Sequence, residues 1–295
     1  MIKNINVYES YKGLNEDFKL SRIFSFGGGV QSTAVLVLQA LGKIDIPYDY
    51  FIFANVGDDS ENPDTIAYME NYTIPFAIDN GIEIISVQKT SIGDTESLLA
   101  YMYRTERSIP IPVFLDGGSI TGRSCTSDFK ITVVDKWIKN NNYSHAIVGL
   151  GISTDEIRRM RDERWHDRFG KQKFGFWKKR HYPLIDLRLS RMDCHSIVKN
   201  VGLPKPPKSA CWFCPYTKRN EWIEMKRNNP ELFEKAIELE NHLNSKIRDN
   251  TNISNVYLHS PTRGSLQPLD IATSTQMSMF DELEDESCDS GYCFT

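Results

Sequence analysis

The chain has 295 residues, of which 40% are hydrophobic and 25% are charged, so it is able to bury a substantial core. This composition excludes a disordered, a collagen-like or a small disulfide-stapled protein. The 35 Lys and Arg residues are outnumbered by 39 Asp and Glu residues, and the net charge of −4 excludes a general attraction to nucleic acid or to membranes.

We expect a cytoplasmic protein with no membrane partner. No apolar run approaches the roughly 20 residues that span a bilayer, and the first residues lack the apolar core of a secretory leader. The six cysteines of such a chain are more often metal ligands or redox groups than structural disulfides.

The first half of the chain alternates short apolar strands with helices. Strands are predicted at Arg22–Phe26, Tyr50–Ala54, Ile82–Val87 and His145–Val148. Helices are predicted at Gln31–Leu41, after the cap Asn62-Pro63-Asp64, and at Asp128–Asn140. This alternation predicts an α/β fold built on a doubly wound, Rossmann-like parallel sheet.

The pattern changes beyond Leu150. The segment Glu156–Arg191 carries twelve Lys and Arg against five Asp and Glu, with six aromatic residues among them. Such a segment fits a phosphate clamp, a nucleic-acid interface on which bases stack, or a solvated helical face. Further helices are predicted at Ser190–Val201, Lys218–Arg227 and Pro230–Ile247.

Three consecutive glycines, Gly27–Gly29, join the first predicted strand to the first predicted helix. Glycine lets backbone amides approach a ligand closely, and the amides at a helix N-terminus attract anions. The hydroxyls of Ser25, Ser32 and Thr33 add donors beside the loop. The sequence therefore predicts a phosphate site here, with a tight strand-to-helix turn as the alternative. The pattern is neither the G-x-G-x-x-G nor the Walker form.

Five segments resemble, in chain order, the motifs of one known family. Ser25–Thr33 resembles the PP-loop, S-F-S-G-G-K-D-S-T. The other four are the strand and turn Phe51–Asp59 with the helix start Pro63–Thr65, the G-x-x-x-x-E-x-x-R segment Gly151–Arg159, the P-L-x-D step Pro183–Asp186, and the Cys-x-x-Cys segment Gly202–Pro215. Together they span Arg22–Arg227 and resemble the phosphoadenosine phosphosulfate (PAPS) reductase family of the PP-loop, adenine nucleotide α-hydrolase-like superfamily.

The resemblance implies a sheet of the adenine nucleotide α-hydrolase type, followed by a helical, cysteine-containing C-terminal region. We predict an N-terminal extension at 1–20, a nucleotide-binding α/β domain at 21–187, a helical Cys-x-x-Cys region at 188–260 and a flexible acidic tail at 261–295. The expected nucleotide-binding residues are Ser25, Gly27, Gly28, Gly29, Gln31, Ser32, Thr33, Asn55, Gly151 and Glu156.

The loop departs from the family pattern at three positions. Gly27 replaces a serine, Val30 replaces the lysine and Gln31 replaces the aspartate. Losing the lysine removes a cation from the phosphate site. Arg123, Lys130, Arg158 and Arg159 are the candidates to replace it. Nucleotide binding survives this change more easily than a specific reaction does.

Four cysteines are candidate metal ligands. Cys211 and Cys214 have the two-residue gap that lets two thiolates reach one metal, and Cys125 and Cys194 would complete a four-thiolate set. Thiolate-only ligation fits zinc and iron–sulfur alike, and buried thiols without a metal are the alternative. In cluster-bearing relatives an adjacent cysteine pair joins the later Cys-x-x-Cys, so the resemblance favours a [4Fe–4S] cluster over zinc.

The catalytic candidates lie in three places. Asp58 and Asp59 would hold Mg²⁺ or a ribose, and Arg158 and Arg159 would offset phosphate charge in the transition state. Cys293, with Cys288 in the same tail, resembles the sulfur-attacking cysteine of PAPS reductases, although that family's Glu-Cys-Gly-Leu-His ending is absent. An inert tail is the alternative.

These features predict a PAPS-reductase-family enzyme that binds ATP or a related adenine nucleotide. It would couple the nucleotide to sulfur transfer or adenylation, with a nucleic acid or a thiol-bearing sulfur donor as partner. One alternative is PAPS reduction itself, which forms sulfite. The other is a nucleotide-sensing or nucleic-acid-binding module without catalysis. The loop Arg104–Arg123, rich in proline and glycine, is a candidate lid over the nucleotide.

Overall fold

The computed structural model describes residues 19–91, 93–105, 108–161, 176–248, 255–260 and 267–273. Five parallel strands form the central sheet: β1 (Leu20–Phe26), β2 (Tyr50–Asn55), β3 (Ile84–Gln88), β4 (His145–Leu150) and β5 (Trp177–His181). They lie in the order β3-β2-β1-β4-β5. The strand order reverses between β1 and β4, and ligands of open α/β sheets bind outside the carboxyl ends of the strands at such a reversal. The fold is therefore α/β and Rossmann-like, as predicted.

Ten α-helices surround this sheet in the described part of the chain. They are α1 (Val30–Ala40), α2 (Pro63–Tyr68), α3 (Ile74–Asp79), α4 (Leu98–Arg104), α5 (Thr132–Asn140), α6 (Pro183–Asp186), α7 (Arg191–Asn200), α8 (Arg219–Asn228), α9 (Pro230–Arg248) and α10 (Leu269–Ala272). A π-helical turn, Met69–Thr73, joins α2 to α3, and a second, Ser127–Ile131, leads into α5. No helix in these ranges is long and apolar enough to cross a membrane.

Two apolar clusters cover the faces of the sheet, and a third lies beside it. On one face α1 and α7 pack against Phe24, Phe26 and Phe51. On the other, α5 packs against Ile23 and Ile52. The third cluster joins residues of the predicted α/β domain to the Cys-x-x-Cys segment and α8–α9; its members include Val56, Leu98, Phe129, Trp212, Phe213, Trp222 and Phe233. This third cluster places the Cys-x-x-Cys segment next to the sheet.

The four predicted strands are confirmed, with ends that shift by at most two residues. The fifth strand was missed because its sequence, Trp177–His181, is mostly charged and carries no apolar alternation. It forms an edge strand, where charged residues are tolerated, and Lys178 pairs with Asp135 at 2.6 Å. Beyond it, Nε2 of His181 lies 3.0 Å from Oδ2 of Asp186, which holds the P-L-x-D step to the strand end.

The predicted domain boundaries stay predictions. Of the extension predicted at 1–20, only residues 19 and 20 are described, and of the tail predicted at 261–295, only residues 267–273, which contain α10. Residues 162–175 of the basic, aromatic segment also lie outside the described residues.

Candidate functional site

The glycine loop leaves β1 and enters α1 in a geometry that only glycine accepts easily. Gly28 has a φ of +76°, in the left-handed region that disfavours other residues. A Cβ at Gly28 would lie 2.8 Å from Cγ2 of Thr65, and one at Gly29 would lie 3.2 Å from Cβ of Ser209. The absence of side chains thus lets the loop pack directly against α2 and the segment before the Cys-x-x-Cys motif.

The first turn of α1 presents its backbone amides and contains no acidic residue of its own. Gly29 is the N-cap, so no side chain caps the helix. The hydroxyls of Ser32 and Thr33 donate back to the carbonyl of Gly29, at 2.9 and 3.0 Å. Ser209 likewise donates to the carbonyl of Gly27. The hydroxyls therefore bind the loop's carbonyls, and the helix N-terminus keeps its attraction for an anion.

A cavity of about 90 Å³ opens beside this helix N-terminus, and we call it the loop cavity. It is lined by Gly29, Val30 and Gln31 of the loop, together with four cationic residues and three cysteines. The cations are Arg123, Lys130, Arg191 and Lys208, and the cysteines are Cys125, Cys211 and Cys214. Ile111 and Pro112 of the candidate lid loop also line it. The predicted phosphate loop and three of the four cysteines predicted as metal ligands thus line the same cavity.

The cations come from separate elements and are held in different ways. Lys130 is only 5% exposed, in the π-helical turn before α5. Nζ of Lys208 pairs with Oε2 of Glu221 at 2.6 Å, and the guanidinium of Arg123 lies 5.8 Å from the ring centre of Tyr216. Arg191 begins α7 and donates to Oε1 of Gln31 at 3.4 Å. Four positive charges facing one cavity favour a polyanionic ligand.

Gln31 connects the loop to the segment that follows β4. Its Nε2 donates to Oε2 of Glu156 at 3.0 Å and to the hydroxyl of Ser153 at 3.4 Å. Arg159 donates to the same Glu156 oxygen at 2.6 Å. Gly151 packs against α1, since a Cβ there would lie 3.4 Å from the amide nitrogen of Ser32. The G-x-x-x-x-E-x-x-R segment therefore supports the loop from behind.

The two arginines of that segment do not line the loop cavity. Arg159 is paired with Glu156, and Arg158 is exposed on the same 3₁₀ helix, Thr154–Arg159. Val30, at the position where the resembled PP-loop pattern has a lysine, is buried. Of the candidate replacements for that lysine, Arg123 and Lys130 reach the cavity, and Arg191 joins them from α7.

The acidic turn after β2 is occupied by internal hydrogen bonds. Asn55 donates to Oδ1 of Asp58 at 2.7 Å and accepts from the amide of Gly57. Asp59 accepts from the hydroxyls of Ser60 and Ser97, each at 2.8 Å. Asn55, Asp58 and Asp59 do not line the loop cavity. Ser25 is buried on β1.

The structure does not bring the four predicted metal ligands together. Cys194 is fully buried in α7, in the cluster formed with α1, and burial raises the pKa of its thiol to about 12. Cys125, Cys211 and Cys214 line the loop cavity instead. Within the described ranges, no group of three or more His, Cys, Asp or Glu side chains is arranged to hold a metal ion. A four-thiolate centre therefore does not fit this arrangement. Cys288 and Cys293 lie outside the described residues.

Sequence reasoning missed two residues of this site. Arg191 gives no local signal, because it stands far from the loop in sequence and reaches Gln31 only through the packing of α7 on α1. Ser209 stands 182 positions from Gly27, and the only sequence signal for it was its place in the matched Gly202–Pro215 segment.

No family model matches the sequence, and no curated protein matches it. Among solved structures, the chain is similar to the U34-tRNA thiolase NcsA from Methanococcus maripaludis with its [4Fe-4S] cluster. The two share 16% sequence identity at a TM-score of 0.40, over 81% of this chain and 76% of that one. The cluster and the tRNA in that description are those of the thiolase.

Proposed function

We propose that the chain binds an adenine nucleotide in the loop cavity and couples it to transfer of a sulfur or adenylyl group. The observation that carries this proposal is the shared lining of one cavity by the N-terminus of α1, four cations and three cysteines. Amide dipoles and cations bind phosphates, while thiols supply the nucleophile for sulfur chemistry.

The proposed roles follow from position. The amides after Gly29 and the side chains of Arg191 and Lys208 bind the phosphates, and Gln31 orients Arg191. The apolar part of the lining, Val56, Leu98, Ile111 and Phe213, offers a surface for the adenine ring. In the proposed reaction an acceptor oxygen attacks the α-phosphorus, the bond to pyrophosphate breaks, and a sulfur nucleophile then displaces AMP from the adenylated acceptor.

The proposed function uses three of the four predicted cysteine ligands, and it uses them as thiols rather than as ligands of a cluster. Because Cys194 lies in a different cluster, Cys125, Cys211 and Cys214 enter the proposal as thiols, and no step is assigned to a metal. Asp58 and Asp59 remain the proposed Mg²⁺ or ribose ligands, and Arg158 and Arg159 the proposed cations for the transition state. These four residues do not line the loop cavity, so each side chain would have to move toward the cavity to take its proposed role.

Calorimetry tests the nucleotide half of the proposal. We expect heat of binding with ATP and with adenosine 3′,5′-bisphosphate, and weaker binding with GTP at the same concentration. Heat with none of the adenine compounds would contradict the proposal. The reaction half is tested by pyrophosphate release from ATP, assayed with bulk tRNA and with low-molecular-weight thiols as separate acceptors.

Two other functions use the same cavity. PAPS reduction would break the sulfur–oxygen bond of PAPS by thiolate attack and release sulfite after reduction by a dithiol; a thioredoxin-dependent sulfite assay detects it. A non-catalytic sensor is favoured by the buried Val30, which removes the loop's own cation. Nucleotide binding with neither pyrophosphate nor sulfite release would support the sensor.

A further inference from the structure

A second cavity, of about 260 Å³, lies against α8, and we call it the α8 cavity. It shares four lining residues with the loop cavity, namely Pro207, Lys208, Ala210 and Cys211. The segment that carries Cys211 is therefore a wall between the two cavities. Cys125 and Cys214 line the loop cavity and not the α8 cavity.

Hydrogen bonds to the segment just before α2 hold this wall in place. The amide of Asn62 donates to the carbonyl of Ala210 at 3.1 Å, and Cys211 pairs with Glu61 in a short antiparallel bridge. The indole of Trp212 donates to the carbonyl of Asp59 at 2.7 Å. Because these bonds orient the wall, Cys211 keeps a fixed position relative to both cavities.

The chemistry of the α8 cavity is opposite to that of the loop cavity. Its lining includes the carboxylates of Asp64, Glu221 and Glu224, and the only basic residue among its described lining, Lys208, already pairs with Glu221 at 2.6 Å. Trp212 also lines the cavity, and its indole is 4% exposed and packs in the third apolar cluster. Three carboxylates against one lysine leave an excess of negative charge, which favours a positively charged ligand.

We propose that the α8 cavity is a second binding site, which takes a small organic cation such as a primary amine and brings it to Cys211. The cation would approach Cys211 from the acidic side of the wall, while an anion would approach it from the loop cavity. This assignment is additional to nucleotide binding and does not depend on it.

The test compares two thiol reagents that differ in charge, 2-aminoethyl and 2-sulfonatoethyl methanethiosulfonate. In each reaction the cysteine thiolate attacks the sulfenyl sulfur, a disulfide forms, methanesulfinate leaves with the electrons of the broken sulfur–sulfur bond, and the thiol proton passes to water. Peptide mass spectrometry with fragmentation measures the labelling rate at each cysteine of the full chain. We expect the ratio of the cationic to the anionic labelling rate to be about tenfold higher at Cys211 than at Cys125, which lines the loop cavity alone, because a cleft of one charge concentrates the opposite ion.

The double variant Asp64→Asn, Glu224→Gln should lower this ratio at Cys211. The matched variant Glu234→Gln, Glu238→Gln changes two exposed acids of α9 outside the cavity and should keep it. Cys125 should keep its lower ratio in every variant, since it faces the cations of the loop cavity. The same ratio at Cys211 and Cys125, a ratio at Cys211 that the double variant leaves unchanged, or no labelling of Cys211 where the denatured chain reacts would overturn the proposal.

Discussion

The guanidinium of Arg191 donates to the side-chain carbonyl of Gln31 across 3.4 Å, although the two residues stand 160 positions apart in sequence. In the PP-loop pattern that the glycine loop resembles, an acidic residue stands at the position of Gln31 and a lysine at the position of Val30. Arg191 lines the same cavity as these two residues and brings a positive charge to it. The amide at residue 31 is therefore matched to an arginine from another helix.

Replacing Arg191 by Met should weaken ATP binding about ten- to a hundredfold, because a charged hydrogen bond contributes about 1.5–3 kcal/mol. Isothermal calorimetry at fixed ionic strength measures this change. Lys199→Met removes the same charge from an exposed position of the same helix and should leave binding unchanged. Equal losses in both variants would mean that Arg191 acts only through the net charge.

Replacing Gly28 by Ala should destabilise the fold more than replacing Gly42 by Ala. Both glycines have positive φ, +76° and +65°, which costs an alanine about 1–2 kcal/mol. Only at Gly28 does the new Cβ also meet another side chain, that of Thr65 at 2.8 Å. Urea unfolding gives the two free energies. Equal losses would show that Thr65 moves aside without cost.

The free energy of unfolding of the protein should depend on pH through the carboxyl group of Glu240. Its two oxygens each accept from a backbone amide, of Leu258 and of Leu269, both at 2.8 Å, and burial raises the pKa of its carboxyl above the ordinary value of 4.5. The folded chain therefore holds this proton at pH values where the unfolded chain has released it. The free energy of unfolding contributed by Glu240 should fall as the pH rises from 4.5 through the raised pKa.

The measurement is urea unfolding of the wild type and of Glu240→Gln at several pH values between 4.5 and 8. The variant cannot titrate at this position, and near pH 5 it should be less stable by about 1–3 kcal/mol, because one amide loses its acceptor. The gap between the two proteins should narrow with rising pH. A constant or widening gap would show that the Glu240 carboxyl titrates as it does in water.

Cys194 should behave as a core residue. With its thiol fully buried and its pKa raised to about 12, it should resist iodoacetamide at pH 8 in the folded chain. Cys194→Ala should cost about 1 kcal/mol of stability through the small cavity it leaves, and should not change the metal content of the purified protein. Loss of bound iron or zinc in this variant alone would restore the four-thiolate arrangement.

The parts of the fold that the sequence predicted are those with a local cause. Gly27–Gly29 between a strand and a helix is a local pattern, as is the two-residue spacing of Cys211 and Cys214, and the strands Leu20–Phe26 and Tyr50–Asn55 carry continuous apolar runs. Each of these signals lies within about ten residues, the range over which periodicity and turn chemistry act.

The features that the sequence did not predict depend on packing between residues that stand far apart in the chain. The position of Cys194 could not be predicted, because helix α7 turns that thiol toward the core shared with α1 while the other three cysteines line the loop cavity, and no spacing rule reports which face of α7 is buried. The strand Trp177–His181 was missed because its pairing with β4, rather than its own residues, makes it extended.

The four cations of the loop cavity come from a loop, a π-helical turn, the start of α7 and the segment before Cys211. A multivalent anion such as sulfate or pyrophosphate that contacts several of these cations would link the polypeptide segments that carry them. Because such an anion binds the folded chain and not the unfolded one, the melting temperature should rise with its concentration.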